Sequence, residues 1–200
     1  MGWGIVYPPY SILNMGGNPP PQTRYVYNFN AVDSYIDLNQ TITYTGDFYI
    51  ILRYECQDKS VASIQTLVGG SGANILGFWL DDTFRVYFNN ALVVSINKSL
   101  VPQSGILNLS RASGNVSLKI DGVEIGAGAS NYDFVVSYLA RAGSGNLFGG
   151  KIYDYQDSLG NNFPINDRTF GVGAVIANTG TGPDATGVNL LESGWEEIPL

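Results

Sequence analysis

Hydrophobic and polar residues alternate with a period of two along most of the chain. The clearest case is 48–56, where one face carries five apolar side chains: Phe48, Ile50, Leu52, Tyr54 and Cys56. Such alternation is typical of a strand buried on one face. Further strands are predicted at 25–29, 35–38, 63–68, 74–80, 83–88, 92–96, 106–111, 116–120, 132–140 and 150–155. No window shows a convincing helical stripe, so the pattern predicts an all-β protein.

Pairs of turn-forming residues separate these strands. They are Asp81-Asp82, Asn89-Asn90, Gly114-Asn115 and Asp121-Gly122. These residue types tolerate positive φ or bend the chain through side-chain hydrogen bonds, so they favour hairpins. Short strands joined in this way indicate an antiparallel sandwich or a barrel.

The composition narrows the classes of partner. The chain has 200 residues, 14% of them charged, and a net charge of −7. Its ten Lys and Arg residues are scattered singly, whereas nucleic-acid binding needs clustered cations, so we expect no nucleic-acid partner. We also expect no membrane insertion, because no apolar run is long enough to cross a bilayer.

The two ends of the chain differ from the strand-rich middle. Residues 1–23 contain Pro8-Pro9 and three consecutive prolines at 19–21, which prevent regular helix, yet they are too apolar for a free linker. We predict an extended arm that docks on its own domain or on a neighbouring subunit. The side chains expected to dock are Trp3, Tyr7, Tyr10, Ile12 and Leu13. Residues 24–157 would form the sandwich, and 158–200 an extension packed on it.

Three segments of the middle part occur in a characteristic order. A strand at 35–38 is followed by 46–50; the stretch 106–125 has Arg111 on its first strand and Asp121-Gly122 after its second; and 147–155 contains a Phe-x-Gly-x-Ile run. Together they resemble the concanavalin A-like lectin/glucanase superfamily, in its laminin-G-like form. The resemblance covers about 24–157 and implies an antiparallel jelly-roll sandwich.

The C-terminal part carries a second resemblance. From Phe163-Pro164 to Trp195-Glu196 it is similar to tails that follow such domains in bacteriophage structural proteins. This implies a virion protein at the particle surface: a capsid decoration, a head fibre or a tail accessory, attached by its arm. Its partners would be other virion proteins and copies of itself, in a symmetric homo-oligomer such as a trimer.

The residue types present in the sequence argue against a catalytic function. There is no histidine and Cys56 is the only cysteine, which excludes His-dependent triads and the usual zinc sites. A glycoside hydrolase remains an alternative because it needs only two carboxyl groups. However, the Glu-x-Asp-x-x-Glu pattern of sandwich glucanases does not occur, and Asp154 and Asp157 should fall on opposite faces of one strand. We expect a non-catalytic protein in which Cys56 is a buried thiol.

A carbohydrate-binding module that engages host surface glycan is the alternative function. Sugar sites combine aromatic faces with a few polar groups. The residues that could form such a patch are Trp79, Tyr87, Tyr49, Arg85, Asp81 and Asp82. Alternatively, Trp79 and Phe78 fill the core. We expect no cofactor and no metal, although Asp81 and Asp82 leave calcium open, since its ligands are oxygen atoms.

Overall fold

The chain forms two antiparallel sheets that share one core. The computed structural model describes residues 23–59, 63–70, 74–79, 81–143, 145–166 and 168–199. The docking residues predicted for the arm lie outside these ranges. Among the described residues, no helix has the length and apolar character needed to cross a membrane.

The strands are short and follow one another closely along the chain. In chain order they are β1 (Thr23–Asn30), β2 (Tyr35–Tyr44), β3 (Phe48–Cys56), β4 (Gln65–Gly69), β5 (Ile75–Phe78), β6 (Thr83–Phe88), β7 (Ala91–Asn97), β8 (Ser104–Ala112), β9 (Asn115–Ile120), β10 (Val123–Ala129), β11 (Phe134–Leu139), β12 (Arg141–Ala142), β13 (Asn146–Leu147), β14 (Gly149–Asp157), β15 (Asn162–Pro164), β16 (Ala174–Ile176), β17 (Ala185–Val188) and β18 (Trp195–Pro199). Within the ranges given above, two 3-10 turns accompany them, at Lys98–Leu100 and Glu192–Gly194.

The strands are divided between the two layers of a sandwich. The first sheet has the order β10-β9-β8-β3-β14-β1-β18, with β15 also paired to β14. The second has the order β16-β17-β2-β11-β4-β5-β6-β7. Strands β12 and β13 form a separate two-stranded ribbon. This arrangement confirms the predicted all-β antiparallel sandwich and decides against a barrel.

The alternation seen in the sequence produces the core. In β3 the predicted apolar face is buried at every position, while the intervening residues are exposed or half-buried. Aromatic rings from the two sheets meet between the layers. Phe48 of the first sheet lies 6.0 Å from Phe134 of the second, and Phe134 lies 4.7 Å from Phe88, measured between ring centroids. Burial of these large apolar surfaces stabilises the sandwich.

Most of the predicted turns have the expected backbone geometry. Asn89 and Asn90 have φ values of 46° and 69°, and Asp121 and Gly122 have 49° and 81°. The third hairpin turn is shifted by one residue from its predicted position. Ser113 and Gly114 adopt positive φ there, and Asn115 begins β9.

The edge strand β10 was not predicted from the sequence. Its residues are mostly small, so it shows no strong alternation of large apolar side chains. The reason for the small residues is tertiary, since β10 runs close to β7 of the other sheet. A Cβ atom added to Gly126 would lie 2.7 Å from Val94 Cγ1, and one added to Gly128 would lie 2.0 Å from Val93 O.

The C-terminal residues contribute strands to both layers. β15 and β18 join the first sheet, and β16 and β17 join the second. Trp195 is 8% exposed; its ring lies 5.3 Å from that of Tyr27, and its Nε1 donates to Thr169 O at 2.7 Å. Trp195 therefore anchors this part of the chain through its ring and its indole N–H, and the strands around it were not predicted.

Candidate functional site

An aromatic cluster lies on the outer face of the second sheet. In β6, Phe84, Val86 and Phe88 are buried, whereas Arg85 and Tyr87 alternate with them and are half-buried. Trp79 follows β5 and donates its main-chain N–H to Thr83 O at 2.7 Å, which places it beside the start of β6. We call Trp79, Asp81, Arg85 and Tyr87 the aromatic platform.

The rings of the aromatic platform are held in place by Arg85. The centroids of Trp79 and Tyr87 are 5.1 Å apart, with an interplanar angle of 34°. The Arg85 Cζ atom lies 5.5 Å from the Trp79 ring centroid, and Arg85 Nη1 donates to the Tyr87 hydroxyl oxygen at 3.2 Å. The arrangement fixes two aromatic faces and a guanidinium group on one surface.

The charges of the aromatic platform are paired. Arg85 Nη2 forms an ion pair with Asp81 Oδ2, and Thr83 Oγ1 donates to Asp81 Oδ1 at 2.5 Å. The Thr83 hydroxyl, with a further contribution from Arg85, lowers the pKa of the Asp81 carboxyl below its usual value. Asp82 turns to a different partner, Lys98 Nζ, at 3.0 Å.

The structure brings most, but not all, of the predicted patch together. Trp79 and Tyr87 are in contact, and Phe78 alone enters the core, where it is 1% exposed. The alternative in which Trp79 also fills the core is therefore wrong. Tyr49 is also misplaced by the prediction, because it belongs to β3 of the first sheet, where it is 45% exposed. Alternation with buried Phe48 turns it outward, away from the second sheet.

Calcium at Asp81 and Asp82 stays a prediction. Each carboxylate is engaged by a cationic side chain of the protein. Within the described ranges no group of three or more His, Cys, Asp or Glu side chains is placed to hold a metal ion.

A cleft that the sequence did not indicate lies next to the aromatic platform. It has a volume of about 620 Å³ and is lined by three separate segments, 91–93, 113–115 and 129–132. Leu92 and Tyr132 are 50% and 55% exposed in it. We call it the end cleft. The sequence could not show it because the strand pairs β8-β9 and β9-β10 and the contact between β7 and β10 bring these segments together.

The two carboxyls considered for catalysis are separated, as predicted. Asp154 lies on the outer face of the first sheet and forms an ion pair with Arg53 at 2.8 Å. Asp157 is 4% exposed and accepts a hydrogen bond from the Tyr44 hydroxyl at 2.6 Å. Main-chain N–H groups of Leu159 and Asn161 donate to its other oxygen at 2.9 and 3.0 Å. Asp157 thus serves as a buried hydrogen-bond acceptor.

Cys56 is a buried thiol, as the strand pattern predicted. Its exposed fraction is 0%, and its Sγ lies 3.8 Å from Gln65 Oε1. Burial raises the pKa of the thiol to about 11. Because the thiolate is the nucleophilic form, this environment is unlike that of a catalytic cysteine.

Comparison with known proteins adds information about the fold. No protein-family model matches the sequence, and a search of curated proteins found no similar sequence. A similar solved structure is that of a protein from Bacteroides ovatus whose suggested role is carbohydrate binding, with a TM-score of 0.61 and 12% sequence identity. The match covers 90% of this chain but 61% of the other, longer chain. At this identity the likeness shows a shared all-β sandwich fold.

Proposed function

We propose that this chain is a non-catalytic carbohydrate-binding protein, a lectin-like sandwich of the concanavalin A-like superfamily, and that the aromatic platform binds sugar. The observation that carries the proposal is the Trp79–Tyr87 ring pair, held by Arg85 on the outer face of a sheet. The apolar C–H faces of a sugar ring pack on aromatic rings, and the neighbouring polar groups can bond to its hydroxyls. The fold shared with the Bacteroides ovatus protein is compatible with this role.

The proposal is tested by a glycan array followed by titration calorimetry with the best glycan. Replacing Trp79 by Ala removes the larger ring, and we expect binding about tenfold weaker, which corresponds to about 1.4 kcal/mol. Tyr49→Ala is the matched control, since it removes an exposed aromatic ring from the opposite sheet; its affinity should equal that of the wild type. Binding to no glycan on the array, or an equal loss of affinity in the two variants, would contradict the proposal.

The non-catalytic part of the proposal has its own test. Of the two candidate carboxyls on β14, one is paired with Arg53 and the other is buried among hydrogen-bond donors, which supports a role without chemistry. Incubation with β-glucans and alginate-like polymers should release no reducing ends. Release of reducing ends by the pure protein would overturn this part.

We further propose that the protein is carried on the surface of a bacteriophage particle, as a capsid decoration, a head fibre or a tail accessory. The support is the similarity of the C-terminal part to tails of phage structural proteins, including the terminal Trp195-Glu196. A sugar-binding surface on a particle would engage glycan of the host. A capsid, portal or tail gene beside the coding gene would support this placement, and an operon without phage genes would count against it.

Attachment through the N-terminal arm belongs to the same proposal. Three apolar side chains of the C-terminal part are exposed: Phe170 is 48% exposed, Val172 fully exposed and Leu191 59% exposed. Arg168 connects Phe170 to β1, since its Cζ lies 5.8 Å from the ring centroids of both Tyr25 and Phe170. We propose that the uncharged arm, from the same or a neighbouring copy, covers this patch.

Deletion of residues 1–22 tests the arm. We expect the shortened protein to keep its β-type circular-dichroism spectrum but to lose self-association in light scattering and cosedimentation with particles. Unchanged assembly of the shortened protein would show that the arm is not the attachment element.

A further inference from the structure

We infer that the site takes a linear, uncharged oligosaccharide of several units, which lies along the aromatic platform and continues into the end cleft. The inference rests on the proposed sugar-binding function and specifies its ligand class. It is carried by three features: the continuity of the two surfaces, the open polar groups in the end cleft and the absence of unpaired charge along both.

The two surfaces are joined at the pair Tyr87 and Leu92. These residues are opposite each other in the β6–β7 register, so their side chains share one face. A β-bulge between Val86 and Tyr87 produces this pairing, because an uninterrupted register would set Val93 opposite Tyr87. The bulge thus turns Leu92 outward, where it is 50% exposed and also lines the end cleft.

The platform extends from the start of β6 to Tyr87, and the cleft begins beyond the other end of the strand. Trp79 and Asp81 lie beside its first residue, Thr83, and the cleft begins at Ala91 and Leu92, just after the Asn89-Asn90 turn. Six strand residues extend over about 20 Å at about 3.3 Å each. A single sugar ring cannot occupy both ends, whereas a chain of several rings can.

The end cleft offers groups suited to sugar hydroxyls. Within the described part of the chain, the side-chain amides of Asn115 and Asn131 and the hydroxyl of Tyr132 make no hydrogen bond, and all three residues are exposed. The Tyr132 ring supplies an aromatic face beside the two amides. Amides with free hydrogen-bonding groups beside an exposed ring combine polar and aromatic contacts, as the aromatic platform does, but without an ion pair.

The charge distribution selects an uncharged chain. None of the residues that line the end cleft carries a charge near neutral pH. On the platform Arg85 is neutralised by Asp81, and at its edge Lys98 is paired with Asp82. With a net charge of −7 for the whole chain, an acidic glycan would be repelled at long range and would meet no unpaired cation among these residues.

The test is a chain-length series by titration calorimetry on the full chain. The probes are chitin-, cellulose- and starch-derived oligosaccharides of one to six units, with an alginate hexamer as the acidic probe. We expect at least one neutral series to gain tenfold or more in affinity between two and six units, and the alginate hexamer not to bind. Trp79→Ala should weaken every length, whereas Tyr132→Ala should reduce the affinity of the hexamer to that of the dimer.

The outcomes separate this inference from the proposed function. Equal affinity for short and long probes, or unchanged affinity of Tyr132→Ala for the hexamer, would show that the site is confined to the platform. Either result would overturn the inference but leave the proposed sugar binding intact. Tighter binding of alginate than of the neutral probes would overturn the uncharged class. Failure of the wild type to bind any probe, together with a flat glycan array, would overturn the proposed function itself. Asn131→Ala gives a second test of the cleft if Tyr132→Ala misfolds, and Tyr49→Ala is the control for both.

Discussion

Arg111 allows a quantitative test of how the sandwich is closed near the end cleft. It is 4% exposed, and none of the ion pairs among the described residues involves it. Its guanidinium donates instead to main-chain oxygens: Nε to Gly46 O at 2.7 Å, Nη2 to Tyr44 O at 3.1 Å, and Nη1 to Tyr132 O. It therefore ties the loop between β2 and β3 to the wall of the end cleft.

The expected effect of Arg111→Ala follows from these contacts. A hydrogen bond to a charged donor contributes about 1.5–3 kcal/mol, and the buried Tyr44 oxygen would lose its donor. The guanidinium also lies 5.2 Å from the Phe48 ring centroid, and such a desolvated cation–π contact contributes about 1–2 kcal/mol. Gly46 and Tyr132 are exposed, so water can replace the donor there. We expect a loss of about 3–4 kcal/mol in the free energy of unfolding, and a fall in Tm of roughly 6–16 °C for a domain of this size.

Urea unfolding followed by circular dichroism measures this loss, with Arg141→Ala as the matched control. Arg141 also donates to a main-chain oxygen, Gly143 O at 2.7 Å, and lies over a ring, 4.2 Å from the Tyr35 centroid, but this contact is at the surface. Its removal should cost less than about 1 kcal/mol. If the two substitutions destabilise equally, the reasoning that burial makes the Arg111 contacts strong is refuted.

Four further predictions concern three other buried groups. Tyr44→Phe removes the 2.6 Å hydrogen bond to Asp157 and should cost about 1–2 kcal/mol in urea unfolding, whereas Tyr49→Phe at the surface should cost nothing measurable. Burial, and then the neighbouring ionisable groups, raise the pKa of Tyr44. The wild type should therefore keep its stability up to about pH 10 and lose it at higher pH, as tyrosines of the unfolded chain ionise. Tyr44→Phe should make this loss of stability with pH less steep, and an equally steep loss would contradict the role given to Tyr44. Cys56, with a pKa of about 11 and no exposed surface, should react with a thiol reagent at pH 8 more than a hundredfold faster in urea than in the native protein; equal rates would mean that the strand opens readily. Trp195→Ala should destabilise the protein by about 3–5 kcal/mol, judged by the urea midpoint, and a loss below 1 kcal/mol would show that the C-terminal strand is not anchored by its ring.

Local patterns were sufficient for the strands that carry large alternating side chains. β3 and β6 were predicted with their bounds, and β3 also with its buried face, because a period of two in a half-buried strand is visible in the residues themselves. The Asn89-Asn90 and Asp121-Gly122 turns were equally clear, since positive φ favours these residue types.

Strands defined by their neighbours were not visible in this way. β10 is rich in Gly and Ala because it approaches β7 closely, and small residues give no amphipathic signal. β16 and β17 have three and four residues; the edge of β2 offers β17 a partner, and β17 in turn pairs with β16. Hydrogen bonding to an existing sheet edge, rather than local preference, explains these strands.

The candidate site, too, could be predicted from the sequence only in part. The residues of the aromatic platform lie within nine positions of one another, so the chemistry of Trp79, Asp81, Arg85 and Tyr87 could be identified from the sequence, although Tyr49 was wrongly added to it. The sequence also determined that histidine-dependent chemistry is excluded and that alternate residues would build two buried faces. Only the tertiary structure decided that Trp79 remains outside the core and that the end cleft adjoins the platform. Both depend on contacts between residues far apart in the chain, which arise once the two sheets pack and a bulge sets the register of β7.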